Sequence, residues 1–167
     1  MAKAGTAESA RLEAKKHIGE SESNGLAQKN IMNPYNKLTG RTGKKRLNVK
    51  TTAWCMIYVL MMLILSGVPK AKVNKSAGCT QQMRWYKKKK RFKYRGVKPK
   101  VGWIVFFNFK NSKKTISTHV GIITSVDYKK KGYMYTAEGN IKGGKVAYRH
   151  ISYSSKNIVG FGIPYYK

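Results

Sequence analysis

The sequence predicts an α+β domain, with helices first and an antiparallel sheet after them. Two observations predict it. The first half carries a 13-residue apolar run, Ala53 to Leu65, set between helix-like segments. From Gly96 onward the texture changes to short runs rich in β-branched and aromatic residues, separated by Gly, Lys, Ser and Asn turns. At 167 residues one domain, 1–167, is expected, with a helical and loop part at 1–50, an apolar and a basic helix at 51–95, and the sheet at 96–167.

Glu8 to His17 reads as a short amphipathic helix, with His17 at the surface, followed by the turn-rich GESESNG. Ala27 to Tyr35 reads as helical until Pro34, and TGRTGKKRLNVK as basic loop. Thr51 or Thr52 is placed to cap the apolar helix, and Gly67 and Pro69 to end it. Gly78 to Lys90 reads as a second helix. The strands expected are WIVFFNF (103–109), THVGIITSV (118–126), GYMYTAEGN (132–140), KVAYRHISY (145–153) and IVGFGIPYY (158–166).

The apolar run is too short for a membrane span, which needs roughly 20 apolar residues. The N-terminus, MAKAGTAESARLEAKKHIGE, lacks the apolar core of a secretory signal. A soluble chain without an export signal of its own is therefore expected. Its charge is unusual: 35 Lys and Arg against 6 Asp and Glu, a net +29. Residues 1–24 are balanced, four basic against four acidic, so Gly25 onward holds 31 basic residues and only Asp127 and Glu138 as acids. Such a surface attracts polyanions, whether nucleic acid, anionic lipid or a phosphate-rich wall polymer. Its densest patch is Lys87, Lys88, Lys89, Lys90 and Arg91, inside WYKKKKRFKY. That stretch reads either as a nucleic-acid surface or, preferably, as a solvated face whose aromatics are partly core.

Cys55 lies in the predicted first turn of the apolar helix, where free N–H groups and the helix dipole favour a thiolate. A buried cysteine there is more commonly an inert small hydrophobe. A nucleophilic thiol needs a base, and the base a group to orient it. His119 opens one strand, and the next ends in Glu138-Gly139-Asn140. Alternation along a strand would put Glu138 and Asn140 on one face, able to address one imidazole. Asp127, in the turn VDYKKKG, needs no further explanation. His150 reads as an ordinary strand histidine, and Cys79 as packing under the second helix, with a bridge to Cys55 as an alternative. Metal spacing is lacking, and no calcium loop is legible.

The order Trp54-Cys55 at a helix start, His119-Val-Gly-Ile opening a strand and Glu138-Gly139-Asn140 ending the next resembles the CHAP family, papain-like amidases and peptidases of peptidoglycan related to the NlpC/P60 group. The similarity runs from about Gly19 to Tyr166 and takes in IGESESNG, NPYN, VGWIVFF and IVGFGIPYY. It implies a papain-like fold, with Cys55 as nucleophile, His119 as general base and then acid, and Glu138 and Asn140 as orienting residues. Trp54 and Trp103 are candidate substrate contacts. It further implies amide hydrolysis through a thioester, with no metal and no organic cofactor. The chain departs from the family in two places. Met56, Ile57, Tyr58, Val59 and Leu60 stand where small residues are usual after the cysteine, and Val101-Gly102-Trp103 stands in place of Pro-Gly-Asp. The extra bulk is expected to crowd the nucleophile.

The expected partner is bacterial cell-wall peptidoglycan, with teichoic-acid phosphates concentrating the cationic enzyme. The missing export signal fits a phage lysin, in the host cytoplasm before lysis, or a hydrolase attached to phage tail or virion proteins. Two rivals stay open: an inactive CHAP-like structural or wall-binding protein, and a basic protein that binds nucleic acid non-specifically.

Overall fold

The computed structural model describes residues 1–111, 113–129 and 132–167. Ser112, and Lys130 and Lys131 of the expected VDYKKKG turn, lie outside the described residues. Among those described, four α-helices precede a six-stranded antiparallel sheet of order β1-β6-β2-β3-β4-β5. The helices are α1 (Ala7–Lys16), α2 (Asn33–Leu38), α3 (Cys55–Leu65) and α4 (Cys79–Lys88). The strands are β1 (Phe92–Tyr94), β2 (Ile104–Phe107), β3 (His119–Asp127), β4 (Tyr133–Ile141), β5 (Lys145–Ser152) and β6 (Ile158–Gly162). This is the α+β papain-like architecture the resemblance implies. No helix among the described residues is long and apolar enough to cross a membrane.

α3 is the central helix. Cys55 through Leu63 are all buried, as an apolar surface without a polar stripe requires. Each large side chain so enclosed contributes about 2 kcal/mol. α3 shares one cluster with α1, α4 and the inward residues of the sheet, including Ile104, Phe106, Val120, Ile122 and Ala137. Alternate residues Val105, Phe107, Ile123 and Met134 build a second cluster with Phe161, the period-two pattern of a sheet covered on both faces.

The added bulk after Cys55 enters the core. Tyr58 is fully buried and its hydroxyl donates to the Ala14 carbonyl at 2.9 Å, tying α3 to α1. Met56, Ile57, Val59 and Leu60 are each at most 1 % exposed. Their volume goes into the cluster that α3 shares with α1 and the sheet, and Cys55 beside them is itself only 7 % exposed.

Three boundaries differ from expectation. Pro34 does not end a helix. A π-helical turn, Gln28–Met32, runs directly into α2, and Pro34 falls just after the π-to-α junction. Thr51 and Thr52 do not cap α3. Their amides bond back to the Asn48 carbonyl at 3.2 and 3.0 Å in a separate turn. The N-cap is Trp54, with no side-chain cap bond. The third is β1, absent from the sequence reading because its three residues lie inside the basic run and gain strand geometry only by pairing with β6.

His17 is not at the surface. It is 8 % exposed, with Nδ1 2.9 Å from Glu20 and Nε2 3.2 Å from Glu13. The segment after it also joins the sheet edge, as Gly19 N–H donates to Val146 O and Val146 N–H to Glu20 O at 2.9 and 2.8 Å. Glu13 and Glu20 thus hold His17 in place.

Candidate active site

α3 starts at Cys55 because Trp54 is fixed outside it. Trp54 has non-helical φ −120° and ψ 15°. Its indole is fully buried and donates to Glu22 at 3.0 Å. The first intrahelical bond runs from Tyr58 N–H to Trp54 O at 2.9 Å. The N–H groups of Cys55, Met56 and Ile57 precede that bond and form the positive end of the helix. Trp54 as a substrate contact is corrected by this burial: its role is to anchor the helix start.

α4 brings a second thiol to the same place. Gly78 caps α4, and Cys79 is its first residue. Thr80 Oγ1 donates to Ser117 O and accepts from Ser117 N–H, both at 3.1 Å. The single Ser117 Oγ proton is shared between the carbonyls of Phe107 and His119, at 3.1 and 2.9 Å. These contacts clip the first turn of α4 to the entry of β3. The result is a Cys55 Sγ to Cys79 Sγ distance of 3.5 Å, with both cysteines free.

His119 is the first residue of β3, paired with Phe107. Its ring stacks on Phe107 at 6.0 Å, and Phe109 lies 6.1 Å away. Nε2 is 3.0 Å from Glu138 Oε2. In the neutral ring Nε2–H donates to that carboxylate, leaving Nδ1 for the thiol. Glu138, on β4, is fully buried. It also accepts from Thr136 Oγ1 at 2.7 Å, and from Arg149 Nε at 2.9 and 3.1 Å and Nη2 at 3.0 Å.

Two motif glycines make this geometry possible. A Cβ on Gly121 would stand 2.8 Å from Glu138 Cγ, so β3 leaves the space through which Glu138 reaches His119. A Cβ on Gly139 would stand 2.6 Å from Tyr58 Cβ and 2.8 Å from Trp54 Cζ3, so α3 lies directly against β4.

The electrostatics follow from these contacts. The Cys79 S–H beside Cys55 is the largest influence on its thiol; burial opposes it, and His119 and the Met56 N–H add to it. Together they lower the Cys55 pKa to about 5. Cys79 is driven the other way, by the neighbouring sulfur and by burial, so Cys55 alone ionises. Burial lowers the His119 pKa, but Cys55 and Glu138 outweigh it and raise the imidazole to about 9. Burial raises Glu138, yet His119 and Arg149 hold it below the usual carboxylate range. At neutral pH the row is thiolate, imidazolium, carboxylate.

Other sequence candidates fall outside this row. Asn140 sits where the β4–β5 register shifts between Glu138 and Ile141, and its φ is +58°. The irregularity breaks the alternation expected to bring it beside Glu138, and among the described residues its side chain makes no hydrogen bond. Trp103 is half-buried, 6.2 Å from Phe161, at the opposite end of β2 from Phe107 and so about 13 Å along the strand from the residue flanking His119. It serves the second cluster. The basic patch is only partly free. Arg91 donates to the carbonyls of Ile163 and Pro164, both at 2.8 Å, and Lys87 to Lys114 O at 3.0 Å. Lys88, Lys89 and Lys90 remain exposed, whereas Tyr86 is buried. His150, on β5, stacks with Tyr133 and Tyr135.

Arg149, Thr136, Gly121 and the Thr80–Ser117 clip were not found by sequence reasoning. Arg149 had a signal: the Lys142–Gly144 turn folds β5 onto β4, and Ala147 pairs with Glu138. A buried acid in so basic a chain demands a cation nearby, and Arg149 is two residues on. Among the described residues no three His, Cys, Asp or Glu side chains gather as a metal site would require.

Comparison with curated proteins gives no match. The family model for the CHAP domain matches residues 47–140, more than half of the 167 and the whole row from Cys55 to Glu138. The chain therefore belongs to the CHAP domain family, peptidoglycan-hydrolysing domains of the cysteine peptidase and amidase type.

Proposed function

We propose that the chain cleaves an amide bond of peptidoglycan through a thioester on Cys55. The observation that carries this reading is Cys55 at the N-terminus of α3 together with His119 held 3.0 Å from the buried Glu138; the lowered thiol pKa of Cys55 and the raised imidazole pKa of His119 support it. The Cys55 thiolate adds to the amide carbonyl carbon, and the oxyanion is met by free N–H groups of the first turn, that of Cys55 among them. His119 gives its proton to the leaving nitrogen, the C–N bond breaks, and the thioester remains. His119, now neutral, takes a proton from water as the resulting hydroxide adds to the thioester. Collapse expels the thiolate and frees the carboxylic acid. Glu138, fixed by Arg149 and Thr136, holds the imidazole in register throughout.

A second reading has one observation in its favour. Cys55 is only 7 % exposed, as an inactive, wall-binding relative would tolerate. Turbidity loss of purified Gram-positive walls distinguishes the two. Clearing by the unaltered protein that falls at least about a thousand-fold in Cys55→Ala supports the hydrolase. Equal clearing by both, or by neither while both are folded, defeats it.

The setting proposed is that of a phage lysin or virion-associated hydrolase. Lys88, Lys89 and Lys90 and the wider +29 charge support capture by teichoic-acid phosphates. Wall binding that does not weaken as salt rises overturns the electrostatic part. Nucleic-acid binding is less favoured, because Tyr86, one of the aromatics that would stack on bases, is buried in the core.

A further inference from the structure

The catalytic row accounts for one of the two cysteines, and the position of the other has a consequence of its own. The chain holds two cysteines in 167 residues. They are 24 residues apart, each is the first residue of a different helix, and their sulfurs stand 3.5 Å apart. A disulfide needs closure by about 1.5 Å, within reach of side-chain rotation and a small backbone shift. Most of that closure falls to side-chain rotation, because Gln82 Nε2 and the Tyr35 hydroxyl hold the segment entering α4 through the carbonyls of Asn74, Ser76 and Lys75.

We propose that Cys55 and Cys79 form a reversible disulfide, a redox modification site that removes the nucleophile when closed and restores it when reduced. The roles are unequal. Cys55 is the attacking thiolate and Cys79 the resolving thiol, since only the former ionises at neutral pH. Cys79 is also the more exposed of the two. With a small-molecule disulfide as oxidant, the Cys55 sulfur attacks one of its sulfurs, expels one thiolate and forms a mixed disulfide. The Cys79 sulfur then attacks Cys55 Sγ, passes its proton to solvent, and expels the second thiolate. Two protein thiols are oxidised by two electrons, and the small disulfide is reduced to two thiols. Any effect on wall hydrolysis rests on the function proposed above; formation of the bond does not.

The test equilibrates the full chain with oxidised glutathione, quenches with N-ethylmaleimide under denaturing conditions, and reads intact mass and the peptide map. The expected product has lost two hydrogens, carries no maleimide, and yields a Cys55–Cys79 cross-linked peptide. Dithiothreitol returns two alkylatable thiols. Cys79→Ser should stop at Cys55 carrying one glutathione. A persistent glutathione adduct on Cys55 of the unaltered protein overturns the proposal, as does retention of two free thiols at every oxidant ratio. Because the readout is mass, closure without wall clearing by the reduced protein would defeat the hydrolase and leave the disulfide standing. Clearing without closure would do the reverse.

Discussion

Arg149 reaches from β5 to donate to both carboxylate oxygens of Glu138, at 2.9 Å to Oε1 and 3.0 Å to Oε2. Glu138 has no solvent contact, so this guanidinium and His119 are the cations that let it stay ionised inside the protein. Arg149 is itself braced over the Phe109 ring, 4.9 Å from its centroid. The His119 imidazole is therefore oriented by an acid that is oriented in turn by a strand the family-model match does not cover.

Arg149→Ala should lower stability by about 2–3 kcal/mol, as loss of a charged hydrogen-bond partner to a buried carboxylate does. The Glu138 pKa should rise with it. Glu138 is depressed in the folded state, so its stabilisation is present above the unfolded carboxylate value and lost as pH falls through the folded one. The variant should begin to lose stability at a higher pH on acidification. Urea unfolding across acid pH measures both, and superimposable curves would count against the pairing.

The pH dependence of hydrolysis should be bell-shaped, because acylation needs the thiolate and the imidazolium together. The thiolate appears as pH rises through about 5, and the imidazolium disappears as it rises through about 9. These are properties of the pair rather than of either residue. The raised His119 value also contributes stability that is complete below an unfolded value of about 6.5 and is lost through about 9. A profile with a single ascending limb near pH 8 would show an ordinary thiol.

Cys79→Ala removes the S–H that contributes most to the acidity of Cys55. At pH below about 5, the rate of iodoacetamide alkylation should fall about tenfold for each unit by which the Cys55 pKa rises. Alkylation rate against pH, compared between the two proteins, reads this directly. Coincident profiles would leave Cys79 without a part in activating Cys55.

The motif glycines should separate stability from chemistry. Gly139→Ala forces a methyl to within 2.6 Å of Tyr58 Cβ, where α3 lies on β4, and overpacking of this kind costs about 1–3 kcal/mol. Gly121→Ala meets Glu138 Cγ at 2.8 Å. It should displace the carboxylate, reducing kcat more than folding. Thermal unfolding and wall clearing measured side by side would reveal the opposite pattern if the assignment is wrong.

The local signals in the sequence were strong where one residue type dictates one outcome. The apolar run from Cys55 to Leu65 has no polar face, so it is the buried helix in any compact arrangement. The runs rich in β-branched and aromatic residues from Ile104 to Gly162 become strands, and Cys55, His119 and Glu138 stood out as a thiol, a base and one of only two acids after Gly25. Signals failed where a neighbour distant in the chain sets the geometry. Thr51 looked like a cap, but Glu22, 32 residues before Trp54, fixes where α3 begins. Asn140 looked aligned with Glu138, but a register shift and a positive φ interrupt the strand alternation there.

What the sequence by itself determined is the order of elements and which thiol, imidazole and carboxylate are candidates for the site, because residue patterning and side-chain chemistry are local properties. Only the tertiary structure decided their working state. It set Cys79 at 3.5 Å from Cys55, brought Arg149 to Glu138 and covered the carboxylate from water. Acidity in a folded protein comes from burial and from charges a few ångströms away, and those distances exist only once β3, β4, β5 and the two helix starts have met.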